Sequence, residues 1–580
     1  MAVSLSKPHH QDPKNTKNTK PTKMKDAPVA QAERLSQRAE QPEHHPKATQ
    51  PLIFVFIVLL SVAGAIIGMQ ILTTLGITPN TALIGVLVAI AVSRIPVHAL
   101  RSFRSIHAQN LIQSSISAAT FGAANSLLLP IGIPMCLGRP DLVPTMLLGA
   151  TMGMLIDLAM LYWFFDSRLF PGSAAWPHGV AAAEAILAGD QGGKRAAVLG
   201  IGTAAGIVGS SSVFGLLAPL VGMGGLPMSA FGVAFIGNTW ALFMFAVGLL
   251  VRAYCPALLK VDFDRLLVPH GMMIGAGLVA LTQAILMITR KRQDGAAAPA
   301  ERYSATRSEE YVRGKLAAGL VLYVFAAVLL AVMGGLWEGL TLRQFVLWCF
   351  FAAISCIAAE FIVGLSAMHA GWFPAFATAL IFMVLGLAMG FPPAATALLV
   401  GFVASGGPAF ADAGYDLKAG WCLRRGHRQS GFEMEGRREQ IIAALIGLLT
   451  ALAVVILFHN DYFSRDLFPP VDRVYAATIR AGIDPSLVSN LFIWAIPGAL
   501  IQFIGGMERQ LGILLATGLL ISNPGAGWLL LLGILARGVL RKMYKKEAET
   551  PMAIFGAGCI AGDALWGFAS SAARAGWIRR

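Results

Sequence analysis

The residues predict an all-α integral membrane protein, a polytopic bundle of about 14–16 transmembrane helices in two related halves with re-entrant or broken helices among them. Three observations predict it. Mostly apolar runs recur along nearly the whole chain after residue 50, and about 20 such residues let a helix cross ~30 Å of hydrocarbon. Only 13% of the 580 residues are charged, 56% are hydrophobic and the mean hydropathy is +0.66, whereas a soluble domain carries about a quarter charged residues. Finally, backbone groups in lipid must bond within their own segment, so long apolar runs mean helices. A β-barrel would show short alternating segments instead.

In chain order, residues 1–50 are rich in Lys, Pro, Gln and Asn and are expected to form a disordered basic cytoplasmic tail. The first apolar run, 51–74, lies too far from the start and is too long for a cleaved signal peptide, so it is read as the first span. Further spans are expected near 79–97, 109–136, 143–165, 196–221, 229–252, 266–289, 316–337, 343–366, 373–405, 440–459, 487–506, 511–540 and 551–573. The run 373–405 is long enough to split at Phe391-Pro392-Pro393, and Asn523-Pro524-Gly525 interrupts 511–540. A hydrophilic stretch, 291–315, separates a first repeat at 51–290 from a second at 316–573, leaving a short tail at 574–580. A faint echo supports the repeat: Ile67-Gly68-Met69 before Gly76-Ile77-Thr78-Pro79 resembles Val363-Gly364-Leu365 before Gly371-Trp372-Phe373-Pro374.

The formal net charge of +14 comes from the tail and from short loops between apolar runs. That is the positive-inside pattern and sets orientation, N-terminus cytoplasmic, rather than a nucleic-acid partner. The loop after the second span carries Arg94, Arg101 and Arg104, as the rule expects, and a bacterial cytoplasmic membrane fits. The six cysteines show no CxxC pair and no histidine at zinc-ligand spacing, and are read as helix-packing residues.

Ionisable residues at membrane depth are costly and therefore functional candidates. Those that qualify are Asp157, Glu184, Glu360, His369, Asp412, Asp416, Lys418 and Asp563. The segment Pro171–Asp190 is too short to span and starts with helix-initiating Ser173 and Pro177. It reads as a half-helix whose positive N-terminal end, near Trp176, His178 and Gly179, faces an anionic group such as a substrate carboxylate. Small residues line one side of it, and Glu184 projects from it. The alternative is an interfacial helix whose glutamate meets headgroups or a loop lysine such as Lys194. In the second half, the glycine-rich stretch 406–420 is read as breaking its apolar run, with Asp412 and Asp416 four residues apart and so on one helical face. Two nearby carboxylates repel, which makes one usable as a proton carrier; Lys418 pairing with Asp416 is the structural alternative. Glu360 is a lone acid in an apolar run, either a protonation switch or hydrogen-bonded to a neighbouring backbone. His178 and His369 lack a second ligand at convincing spacing, so structural or substrate-contact roles are expected and no metal or other cofactor. No GxxxxGK[ST], GxSxG or HExxH sequence occurs, arguing against a self-contained ATP pump or an intramembrane hydrolase.

These segments resemble the oligopeptide transporter superfamily, more closely its prokaryotic and yellow stripe-like branches. The resemblance rests on Asn110-Leu111-Ile112-Gln113 with Leu128-Leu129-Pro130, on Trp176-Pro177-His178-Gly179 through Glu184 with Ala188-Gly189, on Ala359-Glu360, and on Asp416-Leu417-Lys418-Ala419-Gly420 followed by Arg438-Glu439-Gln440. It covers most of 51–573. It departs at Trp176, where the family often has Tyr or Phe, and in the long stretch between Lys418 and Arg438. The resemblance implies proton-coupled uptake of short peptides, peptide derivatives or metal chelates of amino-acid-like ligands, with two related halves of membrane helices. The expected function is therefore an alternating-access symporter with protons as coupling ion. Its coupling and substrate-binding residues are expected to be Glu184, Glu360, Asp412, Asp416, Lys418, Trp176, His178, Gly179, Asn110 and Gln113. A channel or facilitator, or a lipid-acting membrane enzyme or flippase, is the alternative. The expected partners are a small or short-peptide substrate, the lipid bilayer and a second copy in a homo-oligomer.

Overall fold

Described in the computed structural model are residues 44–75, 86, 90, 103–211, 226–289, 305–424, 430–482, 485–521 and 523–574. The expected tail up to residue 43, nearly all of the 79–97 span, the end of the 196–221 span, most of the 291–315 linker and nearly all of the C-terminal tail lie outside them. The described residues from His45 onward form one folded unit. The described helices are α1 Pro51–Leu75, α2 Ile106–Phe121, which runs through a π-helical stretch at Gly122–Leu128 into α3 Leu129–Leu137, α4 Val143–Phe164, α5 Pro177–Gln191, α6 Gly193–Ser210, α7 Met228–Ile236, α8 Thr239–Leu259 and α9 Val268–Thr289. After the linker come α10 Glu309–Met333, α11 Leu342–Ala370, α12 Ala375–Ala388, α13 Pro393–Arg424, α14 Ser430–Ser464, α15 Pro470–Ala481, α16 Pro485–Arg509, α17 Leu511–Leu520, α18 Pro524–Tyr544 and α19 Glu549–Arg574. Among the described residues there is no strand, only an isolated bridge between Phe165 and Phe170. The protein is an all-α, multi-pass integral membrane protein.

Local sequence sets the helix ends. Asn238 accepts from the N–H groups of Trp240 and Ala241 to start α8, Ser308 accepts from Tyr311 N to start α10, and Thr341 with Gln344 forms a capping box on α11. Gly371, at φ +77°, closes α11 in the left-handed region.

Eleven helical stretches among the described residues are long and apolar enough to cross a membrane, while of the 14–16 expected the 79–97 span and the end of the 196–221 span lie almost wholly outside those residues. The expected 229–252 span is cut at Gly237 and Asn238 into α7 and α8, α12 and α17 are too short to cross alone, and α18 continues into α19 through one short turn. The split at Phe391-Pro392-Pro393 is present between α12 and α13.

Two helices form the centre. The most apolar window of α2–α3 is 100% buried and that of α13 94%, against 28% in α8 and 22% in α16. The outer helices instead turn side chains such as Leu258, Leu342, Leu457 and Phe503 outward, as apolar faces meeting lipid do. Where helices cross closely, glycine removes the obstacle: Gly202 and Gly206 of α6 lie on the backbone of α19 at Phe555 and Cys559, with no room for a Cβ.

Candidate substrate cavity and buried acid sets

The inner helix α2 is unusual for its polar content: His107, Gln109, Asn110, Gln113, Ser114, Ser115, Ser117 and Thr120 are all buried. Such a helix is stable at membrane depth only against polar groups of its neighbours. The partner is α13. Ser117 Oγ donates to Asp412 Oδ1 at 2.6 Å, and Gln113 Nε2 donates to Asp416 Oδ1 at 2.5 Å. The two acids share a helix face, as their spacing requires. The break expected at 406–420 is not there: α13 runs through Gly406, Gly407 and Pro408 without interruption. A proline removes one N–H, and the helices packed around α13 hold the rest. Asn110 is fully buried, and neither end of its amide has a hydrogen-bond partner among the described residues.

A second acid set joins the two halves of the sequence. The Tyr323 hydroxyl of α10 contacts the carboxyl groups of both Asp157 (α4) and Glu360 (α11), all three residues being buried. A hydroxyl has one proton to donate, so both acids are satisfied only when one of them brings a proton of its own. Gly406 of α13 lies directly on the Asp157 carboxyl, with no space for a Cβ.

The half-helix expected at 171–190 is α5, preceded by a folded loop. Asp166 anchors that loop, accepting from Arg437 Nη2 at 2.5 Å and Thr306 Oγ1 at 2.7 Å. Lys418 Nζ donates to the carbonyls of Gly172 and Ala174 at 2.7 and 2.9 Å and sits over the Trp421 ring, so it holds the loop rather than facing a cavity. Trp176 is fully buried in the left-handed region at φ 38° and donates its backbone N–H to Met368 O. Its ring packs on Gly414. Gly179 is pressed against Tyr415 O and the Lys418 stem, leaving no room for a side chain. Glu184 pairs with Arg195 at the start of α6, one residue beyond the lysine considered from sequence, and joins neither acid set.

Between these elements lies a cavity of about 450 Å³, within the range of small-molecule sites. Its wall is largely apolar and includes the rings of Phe121, Trp372, Phe373, Phe376, Tyr415 and Tyr475, with Asn125, His178, Ser229, Asn523 and Asp563 as polar points. His178, at the N-terminal end of α5, thus lines it, its ring edge-on to Tyr415 at 5.0 Å. Tyr415 reaches across to donate to Gly371 O at 2.9 Å, and it stands between Asp412 and Asp416 in sequence. Asn125 lies in the π-helical stretch, a feature common at functional sites. Of the expected residues, the structure brings Gln113 to Asp416, with Asp412 on the same face of α13, leaves Asn110 buried three residues before Gln113, and puts His178 at the cavity. Trp176, Gly179 and Lys418 serve as packing around it, and Glu360 belongs to the separate set with Asp157.

Sequence reasoning passed over several of these residues. Asp157 and Asp563 were visible as intramembrane acids, but Tyr323, Asn125 and Tyr475 carried no signal of their own. Asp472 of α15, between the cavity-lining Val471 and Tyr475, is fully buried against Gly132 of α3, and neither of its oxygens has a hydrogen-bond partner among the described residues. Burial holds its carboxyl well above the usual carboxylate range.

The family model described as OPT oligopeptide transporter protein matches residues 263–574. No curated protein matches the chain.

Proposed function

The chain belongs to the oligopeptide transporter family, whose model covers more than half of it, and we propose that it moves short peptides or peptide-like solutes, metal chelates of amino-acid-like ligands included, by proton-coupled symport with alternating access. The observation that carries this reading is the position of Tyr415. Its ring is part of the cavity wall, while Asp412, three residues before it, and Asp416, the residue after it, are held by Ser117 and Gln113 of α2. Cargo pressing on that wall therefore bears on the helix turn that holds the acid pair. The Asp157–Tyr323–Glu360 set is the second proton site, with Asp157 from 51–290 and Glu360 from 316–573. Solute access alternates by shifting the halves about this seam. The solute's carboxylate lies toward the N-terminal end of α5, near His178, where backbone N–H groups and the helix dipole favour an anion.

The test is uptake by sealed proteoliposomes under an inward proton gradient, with pooled di- to hexapeptides and iron or nickel chelates and a dye reporting internal pH. Solute-dependent acidification that disappears in Glu360→Gln and in Asp416→Asn is the expected result. Solute flux that proceeds equally without a gradient and without proton entry would overturn symport in favour of a facilitator.

A further inference from the structure

The cavity contains a carboxyl group that no lysine or arginine among the described residues answers. Asp563 of α19 lines it, and among the described lining residues there is neither a lysine nor an arginine. Nor does any lysine or arginine of the described residues form a salt bridge with Asp563. What Asp563 has instead are neutral donors. The Ser210 hydroxyl at the end of α6 donates to it, and Ser229, with the backbone of Met228 and Ser229 at the start of α7, lies within hydrogen-bonding reach. Donors of this kind favour the charged form of a carboxyl, and the first turn of α7 adds the positive end of a helix. The result is a carboxyl group held by neutral donors in the wall of a cavity whose other described lining residues include no Lys, Arg, Asp or Glu. An acid at membrane depth that has no cationic partner and faces a cavity marks a path for a cationic ligand.

We propose that Asp563 is the receiving site for an ammonium group of the cargo, in a short peptide its protonated N-terminal amine. This rests on the reading of the cavity as the cargo site, but not on proton coupling. The aromatic residues of the same cavity, Trp372, Phe373 and Tyr475, take up the first side chain and offer ring faces to the cation. With His178 at the α5 end of the same cavity, the site reads a zwitterion by both ends: amine to Asp563, carboxylate to α5. Such a site selects free-amine peptides over N-blocked ones, because blocking leaves the Asp563 charge without a partner.

The experiment is calorimetric binding to the purified full chain in detergent at about pH 6, where an α-amino group is protonated. The probes are trialanine against N-acetyl-trialanine, and phenethylamine against 2-phenylethanol, each tested on wild type and Asp563→Asn. The wild-type protein is expected to bind each ammonium probe at least about 30-fold more tightly than its uncharged counterpart, the scale of a desolvated charge pair, and Asp563→Asn is expected to lose both preferences. Equal binding of blocked and free probes, a preference that survives in Asp563→Asn, or no binding of either ammonium probe would overturn the assignment. The probe comparison on wild type needs no variant, so it decides even if Asp563→Asn fails to fold. Failure of the transport reading is separate: it would show as absent proton-driven uptake with the ammonium preference intact.

Discussion

Replacing Tyr323 with phenylalanine deletes one oxygen at the point where two carboxyl groups converge. Tyr323 is 1% exposed; its hydroxyl contacts both Asp157 and Glu360, and Asp157 Oδ2 and Glu360 Oε2 have no hydrogen-bond partner among the described residues. Since a hydroxyl carries one proton, the substitution removes one donated bond, not two. A hydrogen bond to a charged acceptor contributes about 1.5–3 kcal/mol. At about 1.4 kcal/mol per factor of ten, a transport step that passes through the ionised carboxylate slows about 10- to 150-fold. The ring remains, edge-on to Phe402 at 6.0 Å, so packing is retained and the loss is one of hydrogen bonding. The assay pairs proton-driven uptake in proteoliposomes with solute counterflow at equal pH on both sides, which needs the loaded carrier to shuttle but no net proton movement. Tyr323→Phe is expected to lower the first by that factor and leave the second unchanged. If both fell together, or neither moved, the hydroxyl would not belong to the proton path and the reasoning from this acid set would fail.

Other perturbations separate the remaining parts. Glu184→Gln is expected to leave proton-driven uptake near wild type because Glu184 is paired with Arg195 outside both acid sets; loss of uptake as complete as in Glu360→Gln would reinstate it as a coupling residue. Gly371→Ala places a Cβ 3.2–3.3 Å from Pro177 and His178 at a backbone with φ +77°, a strain of roughly 1–2 kcal/mol that also presses on the His178 ring in the cavity wall. Weaker solute binding together with a lower melting temperature is expected, and unchanged values for both would contradict the geometry. Burial raises the Asp472 proton affinity above its unfolded value, so its contribution to stability is full below the ordinary carboxylate pKa near 3.8 and is lost as pH rises toward the raised value. Asp472→Asn, uncharged throughout, is expected to flatten the fall in melting temperature with rising pH, and an identical slope in both proteins would refute this. His45, just before α1, has the opposite sign: burial first, then Arg424, lowers its pKa from 6.5 to about 4. The packing of His45 on His107 and Phe432 is therefore stable above pH 6.5 and weakens as pH falls from 6.5 toward 4. Hydrogen exchange at residues 45–50 should speed up over that interval in wild type but not in His45→Gln; no difference between the two would count against it.

The fold class was legible because membrane length rules act on composition alone: runs such as 51–75 or 309–333 need no partner to be recognised. The continuity of α13 was not, since Gly406, Gly407 and Pro408 are helix-breaking by propensity, and only the neighbours packed on all sides hold them helical. Of the site, the pairing of Asp412 with Asp416 on one face followed from a four-residue spacing, a local property. The Asp157–Tyr323–Glu360 set did not, because Asp157 and Tyr323 are 166 residues apart and a tyrosine in an apolar run carries no mark of its role. Lys418 was misleading for a similar reason: its carboxylate neighbour in sequence is visible, whereas the carbonyls of Gly172 and Ala174 that it holds are not.

What joins cavity and acids is the crowding of α13. Gly406 lies on the Asp157 carboxyl, Gly407 on Val363 of α11, Gly414 on Trp176, and Gly420 on Gln440 of α14 and on Arg424; Gln440 in turn donates to Asp416 O at 2.7 Å. From Gly406 to Asp412 is six residues, about 9 Å along a helix rising 1.5 Å per residue, so both acid sets border one short stretch of a single rod, and Tyr415 puts the cavity wall on that same stretch. Close backbone contacts of this kind do not deform gradually; they slide or separate as units. In the proposed cycle, moving α13 away from α2 breaks the bonds from Ser117 and Gln113 to Asp412 and Asp416 and withdraws Tyr415 from the cavity in the same displacement. Protonating those acids takes away the charge that strengthens the bonds from Ser117 and Gln113, which loosens the hold of α2 on α13, so loading of the proton and release of the cargo wall are two readings of one helix contact.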